Sequence, residues 1–329
     1  MKIGGLDLEA GALLAPLCGI TTPSFRVLCR RFGAAAVYSE TLSSDALFRL
    51  NRKTIDMARF HPEERPYGVQ IFGDDPERFA LSARILEDMI APDLIDLNFG
   101  CPAPKFVRNG RGAALLKDPE RIGRIVRAVA RAVRTPVTAK IRTGWDGQSI
   151  RAAEIARICE DAGASAITVH GRTARQGYRG EADWDRVAEV VRAVRVPVIG
   201  NGDISDGDGA ARRIEETGCA AVMIGRASIG NPFVFRSART RLEEGRDAYP
   251  PGPEELLRTC REHLRLIVED RGTRIGVREF RRHLARYVRG LPGSAAFRNR
   301  VNRIEEREEV ERALEDFFAP LIEGGIDGP

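Results

Sequence analysis

The chain has 329 residues, 43% of them hydrophobic and 30% charged, with a formal net charge of +5. That composition belongs to a globular protein whose core needs no disulfides. No run of 18 apolar residues marks a membrane span, and the N-terminus MKIGGLDLEAGALLAPL lacks the basic-then-apolar order of a signal peptide, so a cytoplasmic protein is expected. The six cysteines, Cys18, Cys29, Cys101, Cys159, Cys219 and Cys260, form no CxxC and no metal-ligand spacing, so neither a metal nor a disulfide framework is expected.

Short apolar segments recur along the chain: 12–17, 34–40, 67–73, 94–100, 136–142, 166–172, 197–203 and 221–227. Their spacing of about 30 residues is that of consecutive βα units. The segments between them carry helical patterns. In 118–134, Ile122, Ile125, Val126, Val129 and Val133 fall on one helical face, behind an Asp118 N-cap and Pro119 at the first position. A helix ending at Gly163 and another at DWDRVAEVVRAV are expected on the same grounds.

Eight strands alternating with helices suit a doubly wound sheet or a closed barrel. The TIM (β/α)8 barrel is favoured because Gln70, Asn98, Lys140, Arg142, His170, Asn201, Asp203 and Arg226 all fall at C-terminal strand ends, which converge on one mouth in a barrel. The repeat fades after Ile229. The proline-bearing link RDAYPPGPEE precedes amphipathic stretches typical of a small helical bundle. The expected division is a barrel over 1–245 and a helical domain over 246–329.

The charge is unevenly placed. Between Arg271 and Arg303 stand ten arginines against one acid, Glu279, with Phe280, Tyr287 and Phe297 interleaved. A solvated helical face explains such a stretch poorly; neutralisation of nucleic-acid phosphates with some base stacking explains it better.

Cys101 follows a strand and a glycine in DLNFGCPAPK. It is either a packed small hydrophobe or a thiol at the mouth, and its polar neighbours Asn98 and Lys105 favour the mouth. Lys140 lies in the apolar strand VTAKI. It either snorkels to the rim or sits beside a reducible ring such as a flavin, whose anionic form its charge stabilises. Gln70 and His170 follow the same logic. The turns at NGD (201–203) and GRAS (225–228) are either ordinary glycine turns or the phosphate site that barrels build after their last two strands, with Arg226 adding charge. The loop 105–119 is a lid, a substrate-contacting loop or a plain solvated loop.

Taken together, LAPLCGIT, DLNFGCPAPK, TAKIRTGWD, TVHGRTARQGYRGEADW, VIGNGDI and MIGRASIGNPF, in this order, resemble the tRNA-dihydrouridine synthase family, most closely its bacterial B-type branch. VREFRRHLARYVRGLPG is similar, more loosely, to the family's tRNA-binding helices. The resemblance implies bound FMN, NADPH as reductant and uridine in tRNA as substrate. The hydride goes to C6 and a proton from Cys101 to C5. It implies that Pro16, Leu17, Cys18, Gln70, Lys140, His170, Asn201, Gly202, Asp203, Gly225 and Arg226 hold the cofactor. Asn98, Arg142, Arg278, Arg281, Arg282 and Arg286 are expected to meet the RNA. A target uridine must leave its stack to reach such a mouth.

Four positions depart from the family pattern: Leu17, Cys18 and Thr22 in the first motif, and Arg111 in the loop NGRGAALL, where it is expected to bear on the choice of uridine. The rival enzyme is a flavin barrel acting on a free pyrimidine, of the dihydroorotate or dihydropyrimidine type. The non-enzyme rival is an RNA-binding protein that uses the barrel as scaffold. No protein partner is implied, and a monomer is expected.

Overall fold

The computed structural model describes residues 1–9 and 11–324. A short antiparallel hairpin, β1 (Lys2–Ile3) and β2 (Leu6–Asp7), comes first. Eight parallel strands follow: β3 (Ala12–Leu14), β4 (Val37–Ser43), β5 (Tyr67–Phe72), β6 (Leu94–Asn98), β7 (Val137–Arg142), β8 (Ala166–His170), β9 (Val198–Asn201) and β10 (Ala221–Ile224). From β4 to β10 each pairs with its sequence neighbour, and β10 pairs with β3. The seam between β3 and β4 is bridged by the Ala35 N–H to the Ala12 carbonyl and the Leu14 N–H to the Ala36 carbonyl, both 2.9 Å. The sheet is therefore a TIM barrel, as the polar strand ends imply.

The barrel interior is filled by Leu13, Ala36, Tyr38, Leu94, Ala166, Ile199, Ala221 and Met223. Ile3 and Leu8 of the hairpin segment join this cluster and plug the barrel end opposite the mouth. Helices coat the outside. Asp118 caps Pro119–Ala132 through the Arg121 N–H at 3.0 Å, and the apolar stripe of that helix is buried against the strands. The second βα unit departs from the pattern, with two five-residue helices, Ser44–Phe48 and Arg52–Asp56, in place of one.

The last barrel helix, Phe233–Glu244, is followed by four helices, Pro253–Arg271, Thr273–Tyr287, Ser294–Val301 and Arg307–Glu323, around their own apolar core. This bundle sits on the barrel helix Pro23–Arg31. The Phe25 ring lies 4.5 Å from that of His283 and 5.6 Å from that of His263. Arg31 pairs with Glu262 at 2.7 Å, and His61 Nε2 lies 3.0 Å from Asp270. Gly230, at φ +60, lets the helix Thr273–Tyr287 touch the turn after β10. A Cβ there would fall 2.3 Å from the His283 carbonyl oxygen. That contact holds one end of the arginine-rich helix over the barrel mouth.

Among the described residues no helix is long and apolar enough to cross a membrane.

Candidate active site

The parallel strands all point their C-terminal ends at one opening, a cavity of about 690 Å³. Every cofactor position expected from the sequence lines it: Pro16, Leu17, Cys18, Gln70, Lys140, His170, Asn201, Gly202, Asp203, Gly225 and Arg226. Asn98, Cys101, Arg142 and Arg286 line it as well. The cavity size lies within the range of small-molecule and cofactor sites.

Cys101 stands on the turn leaving β6. Asn98 Oδ1 accepts the backbone N–H groups of Gly100 (3.1 Å) and Cys101 (2.9 Å), which curls the chain and turns the thiol towards the opening. Burial pushes the Cys101 thiol up, while Arg142 and Lys105 pull it partly back. The thiol therefore keeps its proton at neutral pH.

Lys140, on β7, donates to Asn201 Oδ1 at 2.9 Å, and Asn201 Nδ2 donates to the Met223 carbonyl at 2.7 Å. Beneath them lies Asp96, 1% exposed. Burial pushes the Asp96 carboxyl up and the Lys140 ammonium down, and each charge opposes the shift of the other. His170 is held well below its ordinary value, first by burial and then by the cations Arg142, Lys140, Arg172 and Arg226. It is a neutral imidazole in a positive pocket.

The turns after β9 and β10 form one wall. Gly202, at φ +134, has no room for a side chain: a Cβ would lie 2.5 Å from that of Ala182. The Asp203 carboxylate is already committed, to Arg172 (2.6 and 2.9 Å), Arg226 (2.9 Å) and the Ala182 N–H (2.9 Å). Those partners hold it below the usual carboxylate range despite partial burial. It anchors the two arginines instead of meeting an anionic ligand itself. Arg226 keeps half its side chain exposed at 51%. A glycine turn and an exposed guanidinium on one wall, with Lys140 and Gln70 across the opening, fit a ligand with a terminal phosphate and a polar ring; FMN has both.

Two residues at the mouth were not singled out from the sequence. Arg172 is buried behind the phosphate wall, and Tyr178 is half exposed at its rim. The Tyr178 ring lies 4.7 Å from the Arg226 guanidinium and 5.7 Å from that of Arg142. Both belong to the motif TVHGRTARQGYRGEADW, which was noted for its order alone. Glycines at 177 and 180 around a tyrosine were the available signal.

Other placements differ from expectation. Arg142 lines the cavity, but its guanidinium donates to the carbonyls of Gly100 (2.7 Å), Thr173 (3.0 Å) and Gly177 (2.9 Å). Its Nε and Nη1 bind loops together, while the residue still lines the cavity. Asn98 holds the Cys101 turn and Gln70 while also lining the cavity. Arg281 is turned inward and donates to the Ile304 carbonyl, because three residues on from Arg278 the helix has rotated towards the bundle. Arg278, Arg282 and Arg286 recur every four residues on the exposed face; Arg282 donates to the Gly19 carbonyl at 3.0 Å and Arg286 reaches the cavity. The segment 105–119 is largely structured, and Lys105 and Phe106 at its start line the cavity. It folds into the helix Pro104–Val107 and a 3₁₀ turn, Gly112–Lys117, with Ala113, Leu115 and Leu116 buried. Arg111 is ion-paired with Asp45 and Asp74.

The dihydrouridine synthase family model matches residues 13–321. Curated relatives include tRNA-dihydrouridine synthase B of Xanthomonas axonopodis pv. citri, 41% identical across 98% of this chain and 97% of its own length. The chain belongs to the dihydrouridine synthase family. The protein of the same name from Pseudomonas aeruginosa is 39% identical, covering 99% of this chain and 98% of its own. A probable tRNA-dihydrouridine synthase of Rickettsia conorii is 37% identical, with 98% of each chain covered.

Among solved structures, 2-naphthoyl-CoA reductase matches with a TM-score of 0.58 at 12% identity, over 75% of this chain and 52% of that one. Histamine dehydrogenase from Rhizobium sp. 4-9 matches with 0.55 at 14% identity, over 81% of this chain and 50% of that one. This chain thus spans about half the length of those enzymes, and they share the barrel alone. As a member of its family the chain is a flavin-dependent oxidoreductase that makes dihydrouridine in tRNA, with FMN as cofactor and NADPH as reductant.

Proposed function

We propose that Cys101 is the acid that protonates C5 of a uridine extruded from tRNA, and that the arginine stripe of the helix Thr273–Tyr287 guides the RNA to it. The observation that carries this reading is that Cys101 and Arg286 line the same cavity, one from the barrel and one from the bundle. A free base would need no such contribution from a second domain.

When bound, FMN supplies the hydride that adds to C6 of the uracil. Pro16, Leu17 and Cys18 would hold its ring from one side of the cavity, and Gln70, Lys140, His170 and Asn201 would offer it hydrogen bonds and charge. Gly202, Asp203, Gly225 and Arg226 form the phosphate wall. Lys140 offers a positive charge where negative charge builds up. A neutral His170 donates or accepts a hydrogen bond without adding a second ammonium-like charge. Hydride addition leaves negative charge on the uracil, which the Cys101 thiol quenches by giving its proton to C5. The Cys101 thiolate is then reprotonated from solvent through the open mouth. Tyr178, amphipathic and half exposed at the rim, offers a face on which the extruded base stacks.

Asn98 and Arg142 act in this scheme by holding the Cys101 turn. Arg278, Arg282 and Arg286 contact phosphates. We place the barrel at 1–245 and the RNA-binding bundle at 246–329, and read the enzyme as a cytoplasmic monomer.

The test compares substrates. NADPH oxidation is followed with unmodified tRNA, with free uridine and with a free pyrimidine such as orotate. Turnover on tRNA alone is the expected result. Equal turnover on a free pyrimidine would favour the rival dehydrogenase reading.

A further inference from the structure

Beneath the cavity a chain of hydrogen bonds runs from the interior of the barrel to the Cys101 turn. Asp96 Oδ1 accepts from Thr138 Oγ1 and Asp96 Oδ2 from Gln70 Nε2, both at 2.6 Å. Gln70 Oε1 accepts from Thr41 Oγ1 and from Asn98 Nδ2, both at 2.7 Å. Asn98 Oδ1 then accepts the N–H groups of Gly100 and Cys101. Asp96 and Gln70 are fully buried and Asn98 is 7% exposed, so water offers little substitute for these partners.

The direction of the chain follows from its ends. An ionised carboxylate only accepts and backbone N–H groups only donate, so both ends are fixed. Two primary amides lie between, and each has one carbonyl and one NH₂. If Gln70 were turned over, its oxygen would face Asp96 and its NH₂ would face that of Asn98. If Asn98 were turned over, its NH₂ would face two backbone donors. One arrangement satisfies every contact, and Asp96 is the group that selects it from the inner end.

We propose that Asp96 is a positioning residue for Cys101, acting through the amides of Gln70 and Asn98. This rests on the reading of Cys101 as the acid. The Ala103 backbone amide, brought near the Cys101 sulfur by the curled turn, eases ionisation of the thiol. When the chain of amides is cut, the turn relaxes, that donor drifts from the sulfur, and the thiol becomes harder to ionise.

The experiment measures alkylation of Cys101 by iodoacetamide against pH, by peptide mass spectrometry, on full-length flavin-free protein. Asp96→Leu is expected to move the alkylation midpoint upward. Asp96→Asn is expected to leave it in place, because its carbonyl can accept from Gln70 while its amide donates to Thr138, whose hydroxyl turns to accept. An unmoved midpoint in folded Asp96→Leu overturns the proposal. An equal shift in both variants also overturns it, since charge and not acceptor geometry would then be acting. Should Asp96→Leu fail to fold, Gln70→Leu cuts the same chain one link nearer and must raise the midpoint; an unmoved midpoint there overturns the proposal equally. Neither flavin nor RNA enters the readout, so failure of the uridine-reduction reading shows separately, in the substrate comparison.

Discussion

At the residue scale, the proposed chemistry turns on a thiol that stays protonated. Burial raises the Cys101 thiol above its ordinary value, so it holds its proton through neutral pH and loses it only in alkali. A donor that must be protonated gives a rate that is flat from pH 7 upward and then falls as the thiol ionises. Single-turnover reduction of tRNA by pre-reduced enzyme should show that fall, and Cys101→Ser, whose hydroxyl does not titrate in the range, should lack it. A fall that persists in Cys101→Ser would assign it to another group. Cys101 itself was visible in the sequence because a cysteine between glycine and proline at a strand end is unusual. Asp96 was not, because an acid within LIDLN gives no hint of the two donors, Thr138 and Gln70, that other strands bring to it. Arg142 shows the opposite: an arginine at a strand end looks wholly free in sequence, and only the fold reveals the carbonyls that take its Nε and Nη1.

At the element scale, the helix Thr273–Tyr287 divides its arginines by phase. Arg278, Arg282 and Arg286 share the exposed face, while Arg281 caps the chain near Ile304. Arg278→Ala should weaken tRNA binding and lower the slope of log affinity against log salt by about one. Arg281→Ala should leave that slope unchanged and show its effect in thermal stability. Filter binding across a salt series separates the two, and a changed slope in Arg281→Ala would contradict the assignment. The sequence displayed the arginine cluster but not this division, because the register of the helix against the bundle depends on contacts such as Gly230 with His283. The barrel strands were legible because apolar runs and polar ends recur at the βα period. The hairpin β1–β2 was missed because its strands are two residues long, too short for any periodicity. The segment 105–119 looked polar by composition, yet Ala113, Leu115 and Leu116 pin it to the core.

At the scale of the whole molecule, the barrel and the bundle are joined through buried imidazoles. His263 and His283 lie against Phe25 and against each other, with ring centroids 4.5 Å apart. Burial holds His263 well below its ordinary value and His283 down to about 3. Both groups are neutral when folded and charge more readily when unfolded. Their contribution to stability is therefore complete above the unfolded value of about 6.5 and is lost as pH falls below it. Between pH 7.5 and 5.5 the pair should account for a loss of about 1–3 kcal/mol. Urea unfolding at the two pH values measures this, and His283→Phe should reduce the loss. An unchanged pH dependence in that variant would remove His283 from the account. The same junction sets Arg286 at the cavity, so its charge and the Cys101 thiol are held as one unit.

The measurement that bears most directly on the whole account is mass spectrometry of nucleosides from unmodified tRNA incubated with the protein, FMN and NADPH, beside a Cys101→Ala control. The account predicts uridine converted to a product two hydrogens heavier, formed about 10²–10⁴-fold more slowly in the control. Product formed equally fast in the control would remove Cys101 as the acid, and no product from any tRNA with a yellow, folded protein would contradict the reading of the substrate itself.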